Sequence, residues 1–206
     1  MNLPQDETFE ENTSFTEDCD VNSVTTIASG EILNISSAEI FTAEQCQQIL
    51  DTCIEELWMP CRVVGDDNLH KGHRQKLKGN PDGFPFLEIK DITKNANVQI
   101  YDFNLLGIID QDYPQVFQYK KDDYYDLHVD MNPLSITRKM TFIIALDEIK
   151  DRTGGVIEFL NTKLDTKLQD KGSILIFPSF LPWKITKVES GTVRFIIGHV
   201  HGSLFK

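Results

Sequence analysis

Positive charge and long apolar runs are both scarce in this chain of 206 residues, which carries 20 basic against 32 acidic side chains. The net charge of -12 has the wrong sign for a domain that grips a phosphate backbone, so no nucleic-acid partner is expected. No stretch of about 18 apolar residues is present, and the first residues lack the order of a signal peptide. We therefore expect a soluble, intracellular, cytoplasmic protein without membrane contact.

Cysteine is also scarce, and its spacing follows no recognisable pattern. The four cysteines (Cys19, Cys46, Cys53 and Cys61) form neither a CxxC zinc half-site nor a dense disulfide framework. We interpret all four as reduced thiols, with Cys46 and Cys53 on the apolar face of a helix.

The amino-terminal segment differs in composition from the rest of the chain. Residues 1–20 contain seven acidic side chains and no lysine or arginine. We predict that residues 1–30 form a flexible or peripheral arm and that residues 31–206 form one domain. The acidic arm is either a solubilising tail or a contact for a protein partner.

Helical patterns occur only in the first half of the domain. Apolar residues at steps of three and four predict an amphipathic helix over residues 42–58, with a capping box formed by Thr42 and Gln45. The following polar segment, residues 65–83, is predicted to be a mobile basic loop. A second, weaker helical pattern covers residues 85–95.

Short β-branched and aromatic segments dominate the rest of the chain and predict strands. Seven are visible: residues 98–103, 116–120, 124–130, 139–146, 156–160, 173–177 and 192–200. Short turns rather than helices separate them, which predicts an α+β domain whose sheets form a sandwich or barrel.

One pair of residues has the character of a metal site. His128 and Asp130 are two positions apart in a predicted strand, so their side chains share a face. They supply two-thirds of a 2-His-1-carboxylate triad, the arrangement that binds Fe(II) with open positions. Taken alone, such a tripeptide is more often ordinary surface or core.

The segments around this pair carry a family resemblance. HVD, then TGGVIEFL, then FPSFLPW and the closing GHVHG resemble, in order and spacing, the Fe(II)- and 2-oxoglutarate-dependent dioxygenases of the prolyl 4-hydroxylase-like group. The resemblance covers about residues 42–206. It implies a double-stranded β-helix (jelly roll) with supporting N-terminal helices, Fe(II) as cofactor and 2-oxoglutarate as cosubstrate. It further implies hydroxylation of an amino-acid side chain in a protein, or of a small molecule.

The resemblance also assigns roles to single residues. His128 and Asp130 match the first two iron ligands, and Tyr119 and Tyr125 match aromatic residues that line the site. Both tyrosines are therefore candidates for binding the cosubstrate, with Tyr119 as a hydrogen-bond donor to 2-oxoglutarate. Arg194 is the candidate for clamping the far carboxylate of 2-oxoglutarate, for which a guanidinium is well shaped.

Two positions depart from the family pattern. Trp183 stands where the distal histidine ligand is expected, and an indole has no lone pair for a metal. Arg194 comes one residue late after Gly191 and Thr192, which turns it to the opposite strand face unless a bulge restores it.

Other histidines leave alternatives open. His199 and His201 share a face of the last strand and either form a metal pair, donate the absent ligand, or bind no metal. Relatives often have tryptophan at the position of His199. His70 and His73 are expected to be solvated in the mobile loop. The chain is accordingly either an active dioxygenase with an incomplete facial triad or an inactive jelly-roll binding or structural module, a pseudoenzyme.

Overall fold

The computed structural model describes residues 25–27, 35–63, 66, 68–160 and 162–204. Most of the predicted arm, together with Cys19, lies outside these residues. Within the arm, Thr25–Ile27 form a strand that pairs with Ile35–Glu39. Among the described residues, Cys46, Cys53 and Cys61 are free thiols, as predicted. None of the helices in this part of the chain has the length and apolar character needed to span a membrane.

Two helices and fourteen strands make up the described residues. The helices are α1 (Ala43–Asp51) and α2 (Phe86–Ala96), and short 3-10 turns cover Glu55–Leu57, Asp110–Asp112, Ile149–Asp151 and Thr166–Gln169. The strands are β1 (Thr25–Ile27), β2 (Ile35–Glu39), β3 (Met59–Pro60), β4 (His70–Lys71), β5 (His73–Lys76), β6 (Leu105–Gly107), β7 (Gln115–Tyr119), β8 (Tyr124–His128), β9 (Arg138–Ala145), β10 (Ile157–Phe159), β11 (Thr162–Lys163), β12 (Ser173–Pro178), β13 (Trp183–Ile185) and β14 (Val193–Gly202).

The strands form two antiparallel sheets. The large sheet has the order β1-β2-β12-β9-β14-β7-β5-β3, with β6 beside β14, and the small sheet has the order β11-β10-β13-β8-β4. Neighbours in the sheets are mostly distant in sequence, as a jelly roll requires. The predicted α+β class and double-stranded β-helix are confirmed.

Two apolar cores hold these layers together. The helix-side core lies between the large sheet and the helices and includes Ile49 of α1 and Ile89 of α2. The inter-sheet core lies between the two sheets and includes Phe177 of the large sheet and Trp183 of the small one. Strand β14 alternates between the cores, as a pleated strand must. Its residues 193, 195 and 197 face the inter-sheet core, and residues 196 and 200 face the helix-side core.

Helix α1 begins as predicted and ends early. The side chain of Thr42 accepts a hydrogen bond from the Gln45 backbone, and the Gln45 side chain accepts one from the Thr42 backbone. The predicted extension to residue 58 is wrong. The helix ends at Asp51, and both Ile54 and Leu57 are exposed rather than part of a buried face.

Two other local predictions are wrong. The predicted strand over residues 98–103 is largely helical, because a π-helical turn (Asn97–Tyr101) continues directly from α2. The predicted mobile loop over residues 65–83 contains β4 and β5, which pair with β8 and β7. His70 is consequently buried rather than solvated.

Gly154, in the TGGVIEFL segment of the family resemblance, is expected to tolerate no side chain. Its φ is +74°, and a Cβ there would overlap the backbone oxygen of Lys187. Gly154→Ala should therefore lower the free energy of unfolding by about 2–4 kcal/mol, from backbone strain plus displacement of the neighbouring chain. Urea denaturation measures the change.

Gly107→Ala is the matched control, because Gly107 has a φ of +103° but open space around the added Cβ. It should cost only the strain, about 1–2 kcal/mol. Equal losses in the two variants would contradict the proposed overlap.

Candidate metal centre

Asp130 is anchored by its backbone just beyond the end of β8. Its amide donates to the carbonyl oxygen of Ser179, at 3.1 Å, in the FPSF segment after β12. Its own carbonyl accepts from the Ser135 hydroxyl and from a nitrogen of Arg138. The large sheet therefore fixes the main chain of a residue that follows a strand of the small sheet.

The two carboxylate oxygens of Asp130 have different surroundings. Oδ2 accepts hydrogen bonds from Trp183 Nε1 and from Thr141 Oγ1, both at 2.7 Å. Oδ1 faces two imidazoles instead, with His128 Nε2 at 3.6 Å and His199 Nε2 at 3.5 Å. One oxygen is thus held by the protein, and the other points to a cluster of nitrogen atoms.

His128 is held in place by stacking and by its own strand. Its ring stacks on Tyr125, with centroids 3.5 Å apart, and the Trp183 ring lies against it at 4.5 Å. Nδ1 lies 2.7 Å from the carbonyl oxygen of Asp126. A carbonyl only accepts, so Nδ1 carries the proton and Nε2 of the neutral ring keeps its lone pair.

Asp112 lies beside His199 on the side away from Asp130, where it also binds Arg138 and His201. This residue was not found from the sequence. It pairs with Arg138 through two bonds of 2.6 and 2.8 Å and accepts from His201 Nε2 at 2.9 Å. His199 Nδ1 lies 3.1 Å from its Oδ2. An aspartate followed by an aromatic residue in a turn gives no local signal of such a role, and only the pairing of β9, β14 and β6 creates it.

Electrostatics in this cluster favour ionised carboxylates. Burial raises the pKa of Asp130, but the contacts with His128 and His199 outweigh burial and leave its pKa well below the ordinary value. Burial lowers the pKa of His199, but Asp112 and Asp130 outweigh it and leave its pKa raised. Burial likewise opposes the lowered pKa of Asp112, which His199 and Arg138 produce. Both carboxylates are therefore ionised, and His199 holds a proton more readily than an ordinary imidazole.

A cavity of about 120 Å³ opens onto the cluster. Asp130 and His199 line it together with three arginines, Arg62, Arg74 and Arg138, of which Arg138 is paired with Asp112. Arg74 Nε is buried and has no hydrogen-bond partner. The cavity is thus lined both by the Asp130 carboxylate and the His199 imidazole and by basic side chains.

The predicted aromatic residues are at the centre of the domain. Tyr119 is fully buried, and its hydroxyl lies 2.8 Å from His70 Nε2. The His70 ring stacks on Tyr125 at 3.7 Å, so it fills the space between the two tyrosines. Burial raises the pKa of Tyr119 and of Tyr125 well above the ordinary value, so both hydroxyls stay protonated.

Arg194 is not brought to the cavity. It lies on the face of β14 opposite His199 and pairs with Asp147 through its Nε, at 3.0 Å. No bulge re-aims it, because β14 is in regular register with β7 from Val193 to Ile197. Val193, fully buried in the inter-sheet core, occupies the inward position. The residues predicted for 2-oxoglutarate, Tyr119, Tyr125 and Arg194, therefore do not form one carboxylate-binding pocket.

The predicted metal site fits a cation better than the residues predicted for 2-oxoglutarate fit a carboxylate. Nε2 of His128 and both ring nitrogens of His199 are buried without a hydrogen-bond partner, beside an ionised carboxylate. Among the residues that the structure describes, no three histidine, cysteine or acidic side chains already stand in the geometry of a complete metal site.

His70 predicts a pH dependence of stability. Burial, more than the neighbouring His128 and Arg74, lowers the pKa of His70 to about 3, against an ordinary value of 6.5. The unfolded chain binds a proton below about pH 6.5 and the native ring does not, so stability falls as the pH drops. The metal-free protein should lose about 2 kcal/mol through His70 between about pH 7.5 and pH 5.

A His70→Gln variant checks this, because the amide can still bond Tyr119 but does not titrate. Urea denaturation at both pH values should show a decline that is smaller by that amount in the variant. An identical decline in both proteins would contradict the assignment to His70.

Comparison with known proteins supports the sequence resemblance. Residues 114–199 match the model of the 2OG-Fe(II) oxygenase superfamily, and this segment contains β7 to most of β14 together with Asp130. No curated protein sequence matches the chain closely. The resemblance drawn from the sequence is confirmed for this part of the chain, and the superfamily implies Fe(II) and 2-oxoglutarate.

Solved structures show the same fold at low sequence identity. A Pseudomonas putida prolyl-4-hydroxylase is 16% identical with a TM-score of 0.61, covering 82% of this chain and 92% of that one. A viral collagen prolyl hydroxylase from Paramecium Bursaria Chlorella virus-1, in complex with 2OG, is 15% identical with a TM-score of 0.59, covering 82% and 96%.

A third similar structure contains a peptide. This prolyl hydroxylase from Trichoplax adhaerens, in complex with a peptide fragment of the hypoxia inducible factor oxygen degradation domain, is 14% identical with a TM-score of 0.61, covering 81% and 83%. All three likenesses establish the jelly-roll fold of this chain.

Proposed function

We propose that this protein is an Fe(II)-dependent oxygenase of the prolyl hydroxylase-like type, which hydroxylates an amino-acid side chain in a protein or peptide. The observation that carries the proposal is the orientation and burial of the His128 and Asp130 side chains. Their facing atoms, Nε2 and Oδ1, are buried 3.6 Å apart, while their other polar atoms are engaged by Asp126, Trp183 and Thr141. This is how metal ligands are commonly oriented by their neighbours.

Each residue of the site has a definite task in this proposal. The metal, with 2-oxoglutarate as the implied cosubstrate, supplies oxygen activation. His128 and Asp130 would hold the metal, and Trp183 and Thr141 fix the carboxylate through Oδ2, so that Oδ1 faces the two imidazoles. Tyr125 shields the His128 ring from water by stacking on it.

Within this proposal, arginines that line the cavity bind the carboxylate. Arg194 is on the helix-facing side of β14, paired with Asp147, and does not line the cavity. Arg74 and Arg62 line it, whereas the third lining arginine, Arg138, is already paired with Asp112. A small cavity lined by arginines suits one short acid next to the metal.

A protein substrate is supported by one neighbour that holds a peptide in its structure. The acidic arm remains a candidate contact for a protein partner, and its residues lie mostly outside the described part of the chain.

The inactive jelly-roll module remains the second candidate, and three buried side chains in the interior favour it. Trp183 is fully buried at the distal ligand position, and Val193 is fully buried where an inward arginine would stand. With His70 packed between Tyr119 and Tyr125, much of the interior is filled by the protein itself.

Anaerobic titration of the metal-free protein with Fe(II) and 2-oxoglutarate separates the two candidates. The oxygenase is expected to show a saturable visible charge-transfer band that disappears in His128→Ala, and to form succinate in air. Absence of the band, together with no thermal stabilisation by metal, would establish the inactive module.

A further inference from the structure

The two histidines nearest Asp130 share an unusual feature. Nε2 of His128 and Nε2 of His199 are buried, and neither has a hydrogen-bond partner. An unpaired buried polar atom destabilises a fold, so two of them beside one carboxylate oxygen call for an explanation. Both face the same atom, Asp130 Oδ1, at 3.6 and 3.5 Å.

In each histidine, the Nδ1 atom faces an oxygen atom, and the Nε2 atom has no hydrogen-bond partner. His128 Nδ1 donates to the Asp126 carbonyl at 2.7 Å, and His199 Nδ1 lies 3.1 Å from the Asp112 carboxylate. The Asp126 oxygen is an acceptor, so His128 Nδ1 carries the proton of the neutral ring and Nε2 a lone pair. A metal at His199 Nε2 would leave the proton of that ring on Nδ1, beside the Asp112 carboxylate. A histidine that ligates a metal almost always has such an acceptor behind it.

Distances around Oδ1 are close to those of metal ligands. Two atoms bound about 2.1 Å from one metal ion lie roughly 3.0–3.4 Å apart at octahedral or tetrahedral angles. The observed separations of 3.5 and 3.6 Å exceed this range by tenths of an ångström. Because no three such side chains of the described residues stand in the geometry of a complete site, binding requires both rings to move closer to Oδ1.

We propose that His199 of β14 is the third metal ligand, completing with His128 and Asp130 a site that has no histidine on β13. The inference rests on the proposed metal-dependent function and adds to it the ligand that the sequence pattern lacks. Trp183, at the expected ligand position, takes the supporting place on Asp130 Oδ2 instead.

Strand pairing makes this rearrangement feasible. His199 is the direct partner of Thr141 across β14 and β9, and Trp183 is the direct partner of His128 across β13 and β8. All four side chains therefore converge on Asp130 from two sheets. The ligand set consists of two nitrogens and one carboxylate oxygen, which suits Fe(II) and other borderline divalent ions.

Metal titration with matched variants tests the inference. The full chain is titrated anaerobically with Fe(II), and separately with Co(II), whose visible bands report the number of ligands. His199→Ala is expected to weaken binding at least about 100-fold, more than the 10- to 100-fold typical of a lost supporting residue. His199→Gln is the second variant, and thermal unfolding of both metal-free variants shows that they are folded.

His201→Ala is the control, because His201 also bonds Asp112 from the same strand but does not contact Asp130. It should change metal affinity less than about threefold and leave the Co(II) spectrum as it is.

The outcomes are distinguishable. If the wild-type protein binds neither ion, the proposed function fails and this inference with it. If His128→Ala abolishes binding while both His199 variants behave like His201→Ala, a metal site exists but His199 is not its ligand. In that case the contacts of His199 with Asp112 and Asp130 serve only the fold.

Discussion

Asp130→Asn is expected to give a folded protein that binds Fe(II) or Co(II) more than about 100-fold less tightly than the wild type. The amide oxygen can still accept from Trp183 and Thr141, so the fold keeps both bonds of 2.7 Å. The amide nitrogen then points at the two Nε2 lone pairs and donates to them. A metal ion loses its only anionic ligand and meets a hydrogen-bond donor in its place.

Calorimetric titration with Co(II) measures the loss, and succinate formation measures its effect on turnover. Asp126→Asn is the matched control, since it makes the same change four residues earlier on an exposed side chain that bonds only a backbone amide. It should retain metal affinity. Unchanged binding in Asp130→Asn would remove Asp130 from the site.

The stability of the Asp130→Asn variant carries separate information. The ionised aspartate is attracted by two imidazoles, whereas the amide forms hydrogen bonds with them. A metal-free variant that is as stable as the wild type, or more so, would mean that the carboxylate is kept at a cost to the fold. Such a cost is typical of functional sites and not of structural ones.

Local sequence signals were sufficient wherever one element determined its own structure. The capping box at Thr42 and Gln45 and the strands β7, β9 and β12 were predicted to within about two residues. Local signals were insufficient where an adjacent element determines the conformation of a segment. Residues 98–103 are rich in β-branched and aromatic side chains, yet they follow α2 directly, and strand propensity depends strongly on such context.

The candidate site divides in the same way. His128 and Asp130 were predicted because they are two residues apart and carry a recognisable chemistry. Asp112 and Thr141 were missed, and His199 was left open, because only the pairing of distant strands brings them to Asp130. His70 was placed in a solvated loop since its neighbours in sequence are polar, although the two-residue strand β4 pairs with β8 and buries it.

Trp183 belongs both to the inter-sheet core and to the candidate metal centre. Trp183→Ala is expected to lower the free energy of unfolding by about 3–5 kcal/mol, because it leaves a large cavity in the inter-sheet core. The side chain contacts the rings of His128, Tyr125 and Phe177, which lose their packing together. Urea denaturation of the metal-free protein measures the loss.

Trp183→Phe separates packing from hydrogen bonding at the same position. A phenyl ring retains much of the core but cannot donate to Asp130 Oδ2, so it should cost less stability than alanine, about 1–3 kcal/mol. If Trp183 positions the carboxylate for a metal, this variant also weakens Co(II) binding by about 10- to 100-fold. If Trp183 only fills a retired pocket, the wild type binds no metal and the phenylalanine variant loses stability alone. The ratio of the two losses, in affinity and in stability, thus tells whether the tryptophan supports a site or replaces one.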